Sequence, residues 1–259
     1  MTIVAGCDVG SLTTKAVLME NKRIKKAAVV SSGPKPAVSA MQVMEQLFAE
    51  TGLSQKDVAC CVGTGYGREK IPFIDKAVSE VSCHGKGAKW LVPSARTIID
   101  IGGQDCKLIK LDDNGKLVKF VTNDKCASGT GRFLDVMAKV MNIDVSELGK
   151  LSAESAAPVT FASICTVWAQ ADVIKYINSR RPAEDICAGI NTPMANRVAM
   201  LANTLKVEKD LCMTGGVAKN EGVVKALSKI LGCKIKRIKR TDPQLAGAIG
   251  AALYASEQV

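Results

Sequence analysis

Apolar and polar positions along the chain fall into alternating strand and helix patterns. It begins with an apolar run, Ile3 to Val9, a turn at Gly10-Ser11, and a second run, Lys15 to Met19, stopping at Glu20-Asn21-Lys22, the pattern of a β-hairpin. Helical spacing covers Pro36 to Thr51. Val58 to Gly63 reads as a strand opening into the turn Gly63-Thr64-Gly65-Tyr66-Gly67, and Ser79 to Leu91 as a helix. After Pro93 the opening recurs: Thr97 to Ile101 is apolar, Gly102-Gly103-Gln104-Asp105 turns, and Lys107 to Leu111 is a second strand ending at Asp112-Asp113-Asn114-Gly115. Beyond it come a helix over Gly131 to Met141, an apolar run Val159 to Ile164, helices over Val167 to Asn178 and Ala183 to Leu205, and a strand Asp210 to Thr214 halted by Gly215-Gly216. The last helix, Pro243 to Ser256, carries Ala246, Gly247, Ala248, Gly250 and Ala251, small residues suited to close packing.

Strand, Gly-acidic turn, strand thus appears twice, with Asp8-Val9-Gly10-Ser11 and Asp100-Ile101-Gly102-Gly103 at equivalent places, and a duplication of this kind changes the expected fold. Two similar lobes facing each other would bring both glycine turns to one cleft. Residues 1–94 are expected to form the N-terminal lobe and 95–242 the C-terminal lobe, with the last helix, 243–259, packing back on the first.

The balance of 47% hydrophobic and 23% charged residues excludes a disordered, collagen-like or coiled-coil chain. The longest uncharged stretch, Ser155 to Ala171, is interrupted by Pro158, Ser163 and Thr166, so no membrane span is expected. Met1 to Gly10 lacks the pattern of a secretory signal, which reads as a cytoplasmic protein. That makes disulfides the weaker reading of the ten cysteines. With no CxxC and one histidine, His84, zinc and Ser-His or Cys-His catalysis are disfavoured, and any metal must be held mainly by thiolate. His84 itself reads as a satisfied surface or core residue. The net charge of +10 fits nucleic acid, an acidic protein partner or phosphate-bearing ligands. Its densest run, Lys234 to Arg240, has no aromatic stacking platform beside it, which favours a solvated or partner-docking face over nucleic acid.

Three glycine turns carry the chemistry. Amides in such turns approach phosphate oxygens closely because no Cβ intrudes, and a neighbouring carboxylate can hold a hydrated magnesium ion. They are Gly6-Cys7-Asp8-Val9-Gly10-Ser11 followed by Lys15, Asp100-Ile101-Gly102-Gly103-Gln104-Asp105, and Gly215-Gly216-Val217-Ala218-Lys219-Asn220. GxxxxGK[ST] is absent, and Gly63 to Gly67 lacks the GxGxxG spacing, which weakens P-loop and Rossmann readings.

In this order, the turns resemble the phosphate-1, phosphate-2 and adenosine motifs of the acetate and sugar kinase, heat-shock chaperone and actin superfamily. The implied fold is α/β: two similar ribonuclease-H-like lobes around a nucleotide cleft. The resemblance narrows at Asn123-Asp124-Lys125-Cys126-Ala127-Ser128-Gly129-Thr130-Gly131-Arg132-Phe133-Leu134-Asp135, taken with Gly63 to Arg68, Asp100 to Asp105 and Ser163-Ile164-Cys165-Thr166-Val167. These look like the ATPase activator components of 2-hydroxyacyl-CoA dehydratases, relatives of the ATPase subunits of benzoyl-CoA reductase, over essentially the whole chain. Cys7 stands where an aliphatic residue is expected, and Ser128 where the family often has alanine.

The resemblance implies a 4Fe-4S cluster held by two cysteines from each subunit of a homodimer, here Cys126 and Cys165. Both precede helices, whose N-terminal dipole and free amides favour thiolate. Read without the resemblance, both fit buried structural thiols better than ligands, and Trp168 either shields the cluster or fills the core. The implied activity is ATP hydrolysis coupled to injection of a low-potential electron, taken from ferredoxin or flavodoxin, into a partner iron-sulfur dehydratase or reductase. Asp8 and Asp105 are then placed at Mg²⁺, mainly through water, and Gly10, Ser11, Lys15, Gly102 and Gly103 at the phosphates. Gln104 is placed at the attacking water or γ-phosphate, and Gly215, Gly216 and Asn220 on the adenosine side of ATP. A small-metabolite kinase, or a nucleotide-gated binding module without a cluster, is the alternative on the same fold.

Overall fold

The computed structural model describes residues 2–123, 126–208 and 210–259. Asp124 and Lys125 of the Asn123 to Asp135 motif therefore lie outside the described residues, as does Met1 of the N-terminal run read for a signal.

Two sheets are built on one plan. In the first, β1 (Ile3–Val9) is buried along its whole length and pairs antiparallel with β2 (Thr13–Glu20), which pairs with β3 (Arg23–Ser31). On its other side β1 runs parallel to β4 (Val58–Thr64), followed by the two-residue β5 (Lys76–Ala77), giving the order β3-β2-β1-β4-β5. In the second, β6 (Thr97–Ile101) pairs antiparallel with β7 (Cys106–Leu111), then β8 (Leu117–Asn123), and runs parallel to β9 (Leu211–Thr214). The order is β8-β7-β6-β9. The duplication inferred from the two Gly-acidic turns is thus a duplication of sheet topology, central strand, hairpin and parallel neighbour included.

β3 and β8 are additions to the sequence reading. Both are edge strands with few buried side chains, and β3 carries Lys25 and Lys26, so neither has the apolar run that marks an interior strand.

The helices are α1 (Pro36–Thr51), α2 (Glu80–Leu91), α3 (Gly131–Met141), α4 (Glu147–Ser152), α5 (Thr166–Asn178), α6 (Ala183–Leu205), α7 (Glu221–Leu231) and α8 (Ala246–Ala255). Pro36 opens α1 where no intrahelical N–H is needed, and Gly52, at φ +70°, closes it with its N–H donating to Phe48 O at 2.9 Å. α4 and α7 are also additions. The Val159 to Ile164 run takes no regular structure, and the last helix divides into a 3₁₀ turn, Pro243–Leu245, and α8. Among the described residues no helix is long and apolar enough to cross a membrane.

α2 and α8 lie between the sheets. Cys83 packs in a cluster with Val4, Val17 and Ile249, whereas Ala88 packs with Ile98, Ile109 and Cys212 of the second sheet. The two helices meet backbone to backbone, because Gly87 lies against Ala246 O and Gly250 against Cys83 O. The second sheet covers a larger core built from α3 to α7, with Phe133, Met137, Ala169 and Val173 all buried in it.

Candidate functional site

The ends of β1, β6 and β9 bring the three glycine turns together. Leu12, in the first turn, sits against Gly103 of the second, where a Cβ would stand 2.9 Å from Leu12 Cβ. Gly215, at φ +83°, lies on the backbone of Ile101, and Gly216 faces Gln244 Nε2. Gly10 donates its N–H to Thr13 O, and Gly67 donates to Val9 O, folding the Gly63 to Gly67 turn onto the end of β1.

The residues expected in the site occupy different positions in this junction. Asp8 is buried, with Oδ2 3.2 Å from Lys15 Nζ, while its Oδ1 is buried without a partner among the described residues. Ser11, Gly102 and Gly103 are half-buried and Gln104 is exposed at the tip of the second turn. Asp105 places Oδ2 2.5 Å from Lys107 Nζ, while its carbonyl accepts from Gly102 N at 3.0 Å. Asn220 serves as the N-cap of α7, its Oδ1 accepting from Gly222 N and Val223 N, so that oxygen is committed to the helix and only the buried Nδ2 is left over.

A charged network absent from the sequence reading joins these turns. Asp8 lies opposite Lys15 on the hairpin strand and Thr64 on the parallel strand, and Asp100 lies opposite Lys107 and Thr214 in the same way. The signal was present as a shared spacing, Asp-x-Gly-x₄-Lys, at Asp8-Gly10-Lys15 and Asp100-Gly102-Lys107. Between the two carboxylates stands His84 from α2. It is buried, with Nε2 3.7 Å from Asp8 Oδ2 and Nδ1 3.0 Å from Asp100 Oδ1, neither nitrogen aligned for a hydrogen bond among the described residues. Thr214 Oγ1 donates to Asp100 Oδ1 at 2.7 Å. Lys107 Nζ reaches Glu80 Oε1 at 2.9 Å, and Glu80 stands one helical turn before His84. Of the surface and core positions expected for this histidine the core one is found, and its partners there are ion-pair partners from both sheets. Glu80, His84 and Asp100 could bring three ligand atoms within 4.8 Å of one another, but Lys107 already supplies a cation to the cluster.

Electrostatics follow from burial against partners. Burial pulls the His84 imidazole down, but Asp100 first, then Asp8 and Glu80, outweigh it and carry it up to about 9. Burial pushes Asp100 up, and His84, Lys107 and Thr214 hold it well below the usual carboxylate range. Burial likewise opposes the charge on Lys107, which Asp100, Glu80 and Asp105 lift above the ordinary lysine value. Because the His84 value is raised from 6.5, its stabilisation is fully present below pH 6.5 and is lost as the pH rises through about 9. Between pH 6.5 and 10, urea melts of the nucleotide-free wild type should lose on the order of 3 kcal/mol more than those of His84→Gln, since the buried thiols weaken both proteins alike toward pH 10; equal slopes would count against the pairing.

The cysteines divide by exposure. Cys7, Cys60, Cys61, Cys83, Cys106, Cys187 and Cys212 are buried, and burial raises each of their thiols. Cys126 is half-buried and Cys165 exposed, as soft ligands for an external group must be; Cys233, half-buried, lies beyond α7. Cys165 is the N-cap of α5, and the amides of Thr166, Val167 and Trp168 are free of hydrogen bonds among the described residues. At α3 the expectation of free amides is corrected: Gly131 N donates to Gly102 O and Arg132 N to Gly103 O, both at 2.8 Å, so the second glycine turn occupies that helix end. Trp168 is 66% exposed beside Val167 at 70%, which removes the core reading of the indole.

Comparison with known proteins places these features in context. The model of the BadF/BadG/BcrA/BcrD ATPase family matches residues 5–255. A 2-hydroxyisocaproyl-CoA dehydratase activator from Clostridioides difficile is 46% identical over 254 residues, covering 98% of this chain and 94% of that one. The solved structure of such an activator with bound ADPNP superposes with a TM-score of 0.95 at 45% identity, covering 99% of this chain and 95% of that one. Component A of the (R)-2-hydroxyglutaryl-CoA dehydratase of Acidaminococcus fermentans gives 0.95 at 41% identity, covering 100% and 99%. A glucokinase from Streptomyces griseus, at 14% identity, 98% and 99% coverage and a TM-score of 0.59, shares the fold alone. The expected α/β fold, two sheets of one topology shared with a sugar kinase, is thereby borne out.

Proposed function

This chain belongs to the BadF/BadG/BcrA/BcrD ATPase family, and on that premise we propose that it is an ATP-driven electron donor. It would take an electron from ferredoxin or flavodoxin and deliver it, at very low potential, to a partner iron-sulfur enzyme such as a 2-hydroxyacyl-CoA dehydratase. Cys126 and Cys165 from each of two identical chains would hold a 4Fe-4S cluster, which would supply one-electron storage. Cys165 is exposed and Cys126 half-buried, against seven buried thiols, which supports that assignment.

Each residue then has a task. Lys15, Ser11 and the Gly10, Gly102 and Gly103 backbone hold phosphate oxygens, and Asp8 and Asp105 orient hydrated Mg²⁺. Gln104, exposed at the turn tip, aligns the attacking water or γ-phosphate. Gly215 and Gly216 line the adenosine side, joined there by Asn220 Nδ2.

The observation that carries the coupling is the pair of hydrogen bonds from Gly131 and Arg132 to the carbonyls of Gly102 and Gly103. A shift of the turn around the γ-phosphate is thereby transmitted to α3, behind Cys126, and from α3 to α5, behind Cys165, through their common core. On the order of 10 kcal/mol from one ATP corresponds to roughly 0.4 V for one electron, enough to turn a weak donor into a strong one.

Single-turnover hydrolysis tests the site. Gln104→Ala should slow the chemical step about 100-fold with little change in ADPNP affinity, and unchanged hydrolysis would remove Gln104 from its role.

A further inference from the structure

Among the described residues His84 has no aligned hydrogen bond from either ring nitrogen, yet it is held between carboxylates from the two sheets. Its place is symmetric in the duplicated fold. Asp8 and Asp100 occupy equivalent positions, one residue before the ends of β1 and β6, where each sheet gives way to its phosphate turn. The helix that carries it lies at the junction, one face packed with the first sheet and the other with the second. Space for the contact is provided by Gly247 of α8: a Cβ there would stand 2.6 Å from both Asp8 Oδ2 and His84 Nε2.

We propose that His84 is a two-ended strut that fixes the separation of Asp8 and Asp100 and so sets the two phosphate turns against each other for hydrolysis. This rests on the reading of the cleft as an ATP site. Rotation of either sheet about the α2–α8 contact must stretch one end of the strut, and in a buried setting the attraction lost is larger than it would be in water. His84 acts through Asp8 and Asp100, which makes it a positioning residue.

Two amide substitutions separate the ends. The Asn amide nitrogen falls near the place of Nδ1 and can reach Asp100; that of Gln falls near Nε2 and can reach Asp8. A strut requires both ends, so His84→Asn and His84→Gln should each lower kcat by about 10- to 100-fold, the scale of a ~1 Å misplacement, with the KM for ATP changed by less than about threefold. Gly247→Ala keeps the histidine and wedges a methyl between it and Asp8, and should give the same kcat loss in a protein that still melts cooperatively. A wild-type kcat in either His84 variant or in Gly247→Ala overturns the strut, as does a proportional rise in KM. Small-angle scattering of the nucleotide-free proteins reads the same device without catalysis: all three variants should show a larger radius of gyration than wild type, and equal radii overturn the proposal. Absence of hydrolysis by the wild type would overturn the ATP reading instead, with the scattering still deciding the strut.

Discussion

Anaerobically purified Cys165→Ser protein should contain essentially no cluster iron or labile sulfide, and Cys126→Ser should behave alike. The size of the effect follows from symmetry. If each chain gives two thiolates, one substitution removes two of the four ligands of a cluster shared by two copies. Loss of an outer-shell partner alone costs about 10- to 100-fold in metal affinity, so loss of half the direct ligands exceeds that range. Serine keeps the volume and the N-cap geometry of Cys165, whose own N–H accepts no new burden because it already donates to Ser163 Oγ at 3.1 Å. The helix should therefore persist, and circular dichroism should match wild type. Cys233→Ser is the control: a half-buried thiol beyond α7, outside the α3 and α5 ends, whose loss should leave iron unchanged. Full iron in either Cys126→Ser or Cys165→Ser, or loss of iron only in Cys233→Ser, would reject the ligand assignment.

The fold was legible where the physics is local. β1, β4, β6 and β9 are short, nearly continuous apolar runs because both of their faces are covered, β9 included although it ends its sheet, and α1, α3 and α6 show their apolar spacing along one face. β3 and β8 were not legible because, unlike the terminal but buried β9, they have little core to face and are protected by the polar residues that hide them. The glycine turns could be read because a phosphate site demands backbone close to ligand, a requirement written in consecutive residues. The His84 network could not, since Asp8, His84 and Asp100 meet only after two sheets and a helix have packed. The repeated Asp-x-Gly-x₄-Lys spacing was the one trace of it in the chain, and it specifies the carboxylates and lysines but not the imidazole between them. Similarly, the small residues of α8 announced a close contact without naming α2 as the partner.

That contact yields the largest expected effect on stability. In Gly250→Ala the added methyl has no flexible neighbour to displace: its nearest atoms belong to the backbone of Cys83, with Cys83 Cα at 2.8 Å. The helices must separate, and separation opens the buried cluster of Val4, Val17, Ile249 and Ala252 on one side while pulling His84 from Asp8 on the other. Overpacking of this kind costs about 3 kcal/mol or more, a drop in Tm of roughly 6–12 °C for a chain of this size. Gly52→Ala supplies the contrast. Gly52 sits at φ +70° with none of the described residues within 4 Å of the added methyl, so it bears only the conformational cost of a left-handed non-glycine residue, about 1–2 kcal/mol. Calorimetry of both variants should place Gly250→Ala clearly below Gly52→Ala. Equal melting temperatures would mean that α2 and α8 can move apart freely, and an interface that yields so easily could not transmit the motion of one lobe to the other.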